Sequence, residues 1–272
     1  MRLVAAYKLV RPLNLLIVIL ATFVSFVISG FCGDPAKFLS FVTPLILLAA
    51  FSNSLNDCLD AELDFEAHPS RPIPRGEISI RESRLFTIAL GVLTLGSALL
   101  YRGNLTKVIF VAGFFLAVLY DFYLKKIVFF GNFAVSILTS FPFLLMGLEI
   151  SNFRILWFPV SCSILYNLVR ESLKDMEDFK VDQRFGYRTL PFYIGEKGIR
   201  IFGVLLLAVL VILTFVAFLS VFHNPIFLIS MLVILVYLAF KVLRERSFSR
   251  LSVFFKTFMI FVLLAILVGG TL

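Results

Sequence analysis

The sequence predicts an all-α integral membrane protein, a bundle of nine transmembrane helices. Three observations lead there. The 272-residue chain is 60% hydrophobic and 15% charged, with a mean hydropathy of +1.01, whereas soluble domains are roughly 45–50% apolar and about 25% charged. Runs such as 13–30, 202–222 and 255–270 approach or reach the roughly 20 apolar residues that cross a bilayer core as helix. The alternating segments of a membrane β-barrel are absent, so the spanning elements are helices. A soluble enzyme, a disordered chain and a fibre are excluded together.

The spans lie between charged or Pro/Gly-marked breaks. Pro12–Gly30 is the first; it is too long for a signal-peptide core and has no small-residue cleavage site before Cys32, so it stays in the chain. Phe38–Leu55 follows Lys37 and runs into the first acidic residues. Leu85–Tyr101 lies between Arg84 and Arg102, Thr106–Tyr123 ends before Lys125, and Ile127–Leu148 ends at Glu149. Ile155–Leu168 lies between Arg154 and Arg170, Ile199–Phe222 ends at His223, and Pro225–Ala239 and Leu251–Leu272 flank the basic stretch around Arg244. The shorter runs are expected to continue as helix beyond the membrane.

Nine spans place the termini on opposite sides, and the bases choose between them. With the N-terminus cytoplasmic, all of the 25 Lys and Arg except Lys37, Arg102, Lys107 and Arg154 fall inside. The formal charge of +8 therefore reads as a topology signal and an attraction to anionic lipid or substrate, and nucleic acid is excluded as a partner. Of the 17 acids, all except Asp34 and Glu149 are also cytoplasmic. Topology does not demand that, because acids contribute little to orientation. Cys32, Cys58 and Cys162 are widely spaced, without metal-type spacing, and read as three unpaired thiols.

The acids gather in two constellations. In the first, from Asn53 to Ser79, Asn53, Asp57, Asp60 and Asp64 fall at about −40°, 0°, −60° and −20° around a helix axis, a single narrow stripe. Such like-charged neighbours destabilise a helix by a few tenths of a kcal/mol per pair, which a bound cation would reverse. The helix stops before HPSRPIPRG, where Pro69, Pro72 and Pro74 forbid regular helix; Arg71 and Arg75 lie in that loop. In the second constellation, from Asn167 to Pro191, Asp175, Asp178 and Asp182 repeat the spacing, with Glu171 one turn earlier and Glu177 pointing away.

Hard oxygen donors without His, Cys or Met suit Mg²⁺, not zinc or copper. Two facing acidic helices would hold such ions against a diphosphate, flanking Arg and Lys would stabilise it as a leaving group, and the apolar bundle would accept a hydrocarbon tail. The fold class is then completed by an active-site mouth on the cytoplasmic side. The composition implies membrane lipid as surroundings and no obligate protein partner.

Several stretches carry a resemblance to the UbiA-type family of intramembrane prenyltransferases. Asn56, Asp57, Asp60 and Asp64 match its NDxxDxxxD motif, RPIPRGEIS (71–79) its R-P-x-P-x-G-x-I-S stretch, and KDMEDFKVDQ (174–183) its second aspartate motif, followed by G-x-x-T-L-P at 186–191. YDFYLKKIVFFGN (120–132) resembles its tyrosine–lysine motif and RPLN (11–14) its first-span Arg and Asn. The resemblance runs along nearly the whole chain and implies one prenyltransferase domain over 1–272. It departs at His68, where Asn is usual, and at Lys180 and Val181, where Glu-Gly is usual.

The resemblance implies that Asp57, Asp60, Asp64, Asp175, Asp178 and Asp182 are catalytic and bind Mg²⁺. It implies a substrate-binding set of Arg11, Asn14, Asn53, Asn56, Arg71, Arg75, Tyr120, Lys125, Arg170, Lys174 and Arg188. The runs GEISIRES and RESLKDMED look most like the archaeal ether-lipid branch, in which a geranylgeranyl group passes from its diphosphate to the free hydroxyl of geranylgeranylglyceryl phosphate. A prenyl diphosphate donor and a lipid acceptor are the implied partners. An aromatic quinone precursor as acceptor is the alternative. A cation-coupled transporter is the reading from a different class, disfavoured because its carboxylates would lie near the midplane and because Arg and Lys suit an anion.

Overall fold

The computed structural model describes residues 3–31 and 33–271, so Cys32 and the topology base Arg2 lie outside the described residues. The described residues are helices and connecting turns with no β-strand. They divide into two compact units, Met1–Ile19 with Asp34–Lys125, and Leu20–Gly33 with Lys126–Leu272.

The first unit holds α1 (Leu3–Leu9), the start of α2 (Pro12–Ile28), α3 (Pro35–Leu59), α4 (Ala61–Ala67), α5 (Ile80–Ser97) and α6 (Asn104–Phe122). Asp34 caps α3 by accepting the Lys37 N–H at 3.0 Å, with Pro35 at the first helical position. α3 is the central element. It packs on α5 through a Ser54–Thr87 hydroxyl pair at 2.6 Å and on α6 through stacked Phe51 and Phe114 rings, 4.6 Å between centroids. Gly91 of α5 leaves room for that ring, since an added Cβ would lie 3.1 Å from Phe51 Cε2. Ala5 and Leu9 of α1, Cys58 of α3, and Ile73 and Ile78 of the loop form one buried apolar cluster. That cluster holds both the α1–α2 junction and the proline-rich loop against the end of α3.

The second unit holds the rest of α2, α7 (Phe130–Thr139), α8 (Phe141–Glu149), α9 (Trp157–Arg184), α10 (Leu190–Ala217), α11 (Pro225–Arg244) and α12 (Phe248–Thr271). α9 is wrapped by α7, α10 and α12. Its Tyr166 hydroxyl donates to the Phe255 carbonyl at 2.6 Å, and its Phe158 meets Phe227 of α11 edge-on at 5.4 Å. Gly195 bends α10 at φ 63°. The apolar run predicted from Ile199 starts later than the helix does because Glu196 and Lys197 interrupt the helix's apolar character.

Each predicted span falls on a helix or a bent pair, yet the count differs. Among the described residues six helices are long and apolar enough to cross a bilayer, and eight spans result if the pairs α1–α2, bent by 56°, and α7–α8, bent by 53°, each count once. The predicted span that this count leaves out, Ile155–Leu168, lies on the first half of α9, a 28-residue helix whose second half carries the carboxylates. Cys58 and Cys162 are free and buried, as the spacing implied.

Ser79 and Glu82 form a reciprocal capping box at the start of α5, the Ser79 N–H reaching Glu82 Oε2 at 3.1 Å and the Glu82 N–H reaching Ser79 Oγ at 3.2 Å. Ser79→Ala is expected to lower stability by about 1 kcal/mol, read as a reduced thermal midpoint in detergent. An unchanged midpoint would show that the cap does not fix the end of the loop.

Candidate active site

In the first unit the aspartates stand where α3 gives way to α4. The predicted stripe assumed an unbroken helix; instead Asp60 forms the joint, at φ −92° and ψ 11°, with Asp57 in the last turn of α3 and Asp64 in α4. Asp57 and Asp64 are buried. Three carboxylates this close in sequence repel one another, and the structure gives each its own base. Arg11 Nη2 contacts Asp57 Oδ1, Lys125 Nζ lies 2.5 Å from Asp60 Oδ1, and Arg71 Nη1 lies 2.5 Å from Asp64 Oδ2 and 3.3 Å from Asp57 Oδ1.

Amides join these pairs. Asn56 accepts from Arg11 at 2.9 Å on Oδ1, and its Nδ2 donates to Asp60 Oδ2 at 2.8 Å and to Asp121 Oδ1 at 3.0 Å. Asn53 donates to the Val10 carbonyl at 2.9 Å and accepts from Asn14 Nδ2 at 3.1 Å, which fixes the α1–α2 junction. At that junction Arg11 has φ 53°, a left-handed conformation that a non-glycine residue keeps only where its surroundings demand it. Tyr120 is half-buried on α6, next to Asp121. Arg75 stands apart from the cluster predicted for it: it is exposed and pairs with Glu77 at 3.3 Å, which also receives Lys8 at 2.8 Å.

The donor set fits Mg²⁺ by its chemistry and by one orphaned atom. Asp64 Oδ1 is buried without a hydrogen-bond partner, and burial pushes the Asp64 carboxyl above the usual range against the opposing Arg71 guanidinium. A buried carboxylate in that condition is stabilised by a further cation. Among the described residues no three His, Cys, Asp or Glu side chains converge as a closed cage. Mg²⁺ commonly takes one or two carboxylates and keeps its remaining positions for water and phosphate. In this unit each of the three predicted aspartates also pairs with a base.

In the second unit α9 carries Asp175, Asp178 and Asp182 on one uninterrupted helix. Asn132 of α7 donates to Asp175 Oδ2 at 2.9 Å, Lys174 lies 3.6 Å from Asp178, and Arg170 contacts Glu171. Arg170 Nε is itself buried without a partner. Asp182 is buried, and its carbonyl accepts the Tyr187 N–H at 2.8 Å where the chain leaves the helix. Arg188 is exposed, its guanidinium 5.7 Å from the Phe192 ring centre. Sequence reasoning left Asn132 out of the site and placed Asp121 near it, without choosing between ligand support and pairing with a neighbouring base. The available signal was a polar side chain in an otherwise apolar span.

Comparison with known proteins agrees with this architecture. The model of the UbiA prenyltransferase family matches residues 5–266. The digeranylgeranylglyceryl phosphate synthase of Methanocaldococcus jannaschii is 30% identical over 270 residues, 97% of this chain and 95% of the relative. The one from Methanothrix thermoacetophila is 30% identical over 214 residues, 76% and 78% of the two chains. A solved structure of a digeranylgeranylglyceryl phosphate synthase superposes with a TM-score of 0.78 at 30% identity, covering 99% of this chain and 98% of the other. A UbiA homologue from Archaeoglobus fulgidus, solved with DMAPP and Mg²⁺, shares the fold at a TM-score of 0.71 and 18% identity, covering 95% and 98%.

Arg71→Met would leave Asp64 and part of the Asp57 charge buried and uncompensated, a change expected to cost about 3 kcal/mol. Thermal unfolding in detergent checks it. Added Mg²⁺ should raise the midpoint of the variant more than that of the native chain; equal shifts would refute the view that Arg71 and a metal neutralise the same carboxylates.

Proposed function

This chain belongs to the UbiA prenyltransferase family and is a multi-pass membrane enzyme, and on that premise we propose that it forms the second ether bond of an archaeal-type membrane lipid. The donor is geranylgeranyl diphosphate and the acceptor the free hydroxyl of geranylgeranylglyceryl phosphate, a reading supported by relatives named as synthases of digeranylgeranylglyceryl phosphate. The observation that carries the reading is the interleaving of Asp57, Asp60 and Asp64 with Arg11, Arg71 and Lys125. Carboxylates alone would suit a cation and bases alone an anion; a metal–diphosphate needs both at one place.

Asp57, Asp60 and Asp64, and Asp175, Asp178 and Asp182, would hold Mg²⁺, which would neutralise the charge that builds on the departing diphosphate. Arg71, Lys125 and Lys174 bind phosphate oxygens, and Asn53 and Asn56 keep the carboxylates and Arg11 in place. The donor C1–O bond breaks with its electron pair going to the diphosphate. The acceptor oxygen then forms the new C1–O bond, and its proton leaves with the diphosphate. Positioned charges that meet developing charge without reorganising are the main source of rate in such a site.

The bundle has nine spans in this reading, with the first half of α9 as the ninth. The N-terminus and the carboxylates face the cytoplasm and the C-terminus lies outside, as the distribution of bases favours.

Purified protein with geranylgeranyl diphosphate, Mg²⁺ and geranylgeranylglyceryl phosphate should release diphosphate and form the diether; a chelator should stop it. Turnover with 4-hydroxybenzoate instead would move the acceptor to an aromatic ring, and no acceptor-dependent turnover at all would sink the proposal. Asp57→Ala and Asp175→Ala are each expected to lower turnover by about 100-fold or more while the protein stays folded. Near-native rates in both would refute the metal assignment. For the topology, Arg154→Cys should react with an impermeant thiol reagent from outside and Arg184→Cys from the cytoplasmic side, in a chain lacking its native cysteines.

A further inference from the structure

A buried carboxylate in the first unit stands outside the aspartate motif. Asp121 lies in the last turn of α6 and is 2% exposed. That place is unfavourable on two counts: the negative end of the helix dipole disfavours an acid there, and an ionisable side chain in an apolar span needs a partner. Asp121 closes a ring of polar contacts. Its Oδ1 accepts from Asn56 Nδ2 at 3.0 Å and lies 3.9 Å from Lys125 Nζ, while Asp60 takes the same two groups at 2.8 and 2.5 Å.

The ring determines what each member can do. The Asn56 amide has two carboxylates on its nitrogen side and the Arg11 guanidinium at 2.9 Å on its oxygen side, so a flip would set like against like. Lys125 has two carboxylates within reach and sits on Asp60. With Asp121 beside it, Lys125 can leave Asp60 Oδ1 open to a metal and turn one of its three donors to a phosphate oxygen while it keeps a carboxylate partner.

We infer that Asp121 is a positioning residue: it locks the Asn56 amide and provides the second carboxylate onto which Lys125 withdraws from Asp60. The inference rests on the proposed Mg²⁺–diphosphate chemistry of this site. Asp121 touches neither substrate nor metal, and it acts by setting how strongly Lys125 competes for Asp60.

Asp121→Asn separates the two parts of this role. The new amide oxygen still accepts from Asn56, but the charge that offers Lys125 an alternative is gone. Geranylgeranyl diphosphate binding is measured by calorimetry with the acceptor omitted, across a series of Mg²⁺ concentrations. D121N should raise the half-saturating Mg²⁺ concentration about tenfold, the scale typical of groups that orient a metal ligand. D121E, which keeps the charge, should stay near the native value and also serves if D121N folds poorly. In a K125M background, D121N should add no further shift, because the effect passes through Lys125. An unchanged Mg²⁺ requirement in D121N, or shifts from D121N and K125M that simply add, would overturn the inference. If the native chain shows no Mg²⁺-dependent binding at all, it is the proposed function that fails.

Discussion

The need to neutralise clustered carboxylates at the end of an apolar helix governs the construction of the first unit. Placing one acid in a bilayer-spanning helix costs about 3 kcal/mol on insertion scales, and neighbouring acids add mutual repulsion. The compensating bases come from far along the chain. Arg11 lies 46 residues from Asp57, Lys125 lies 65 residues from Asp60, and Arg71 returns seven residues to Asp64. Each ion pair therefore also fastens an element: the α1–α2 junction, the end of α6 and the loop after α4 all meet at the end of α3.

The backbone breaks fall where the chemistry requires them. Proline at position 12 keeps Arg11 out of the right-handed helical region, and the residue adopts φ 53°, a conformation that costs about 1–3 kcal/mol. The guanidinium contacts to Asn56 and Asp57 offset that strain. An unbroken helix from α1 into α2 would carry the side chain of residue 11 past the carboxylates. The joint at Asp60 acts similarly, since it lets Asp60 meet Lys125 and Asn56 while Asp64 meets Arg71.

Much of this was legible in the sequence because it is periodic or local. Apolar runs mark helices, the repeated aspartate spacing marks both clusters, and the prolines after His68 mark the end of α4. What was not legible depends on tertiary partners. Arg75 has the same residue type and loop as Arg71, but Glu77, two positions on, takes it. Asn132 reads as one polar residue in an apolar run until α7 lies against α9 and its amide reaches Asp175. The second half of α9 is polar without ceasing to be helical, so hydropathy, which tracks lipid contact, stops short of it, and the helical spacing of its aspartates is what carries the helix on.

The two clusters solve the same electrostatic problem differently. On α9 two of the bases in play, Arg170 and Lys174, belong to the same helix as the acids they meet. The Lys174–Asp178 pair, one turn apart on one helix surface, is worth a few tenths of a kcal/mol. In the first unit the bases are anchored on other elements, and Asp57 and Asp64 are buried, so every exchange of partner must leave no charge unmatched. The bases that neutralise the carboxylates are also the groups a phosphate would need. A cation arriving on the aspartates and an anion arriving on Arg11, Arg71 and Lys125 would replace each pair at once with two new ones. That exchange would require both charges together, and so would favour a metal–diphosphate over either a bare cation or a bare anion.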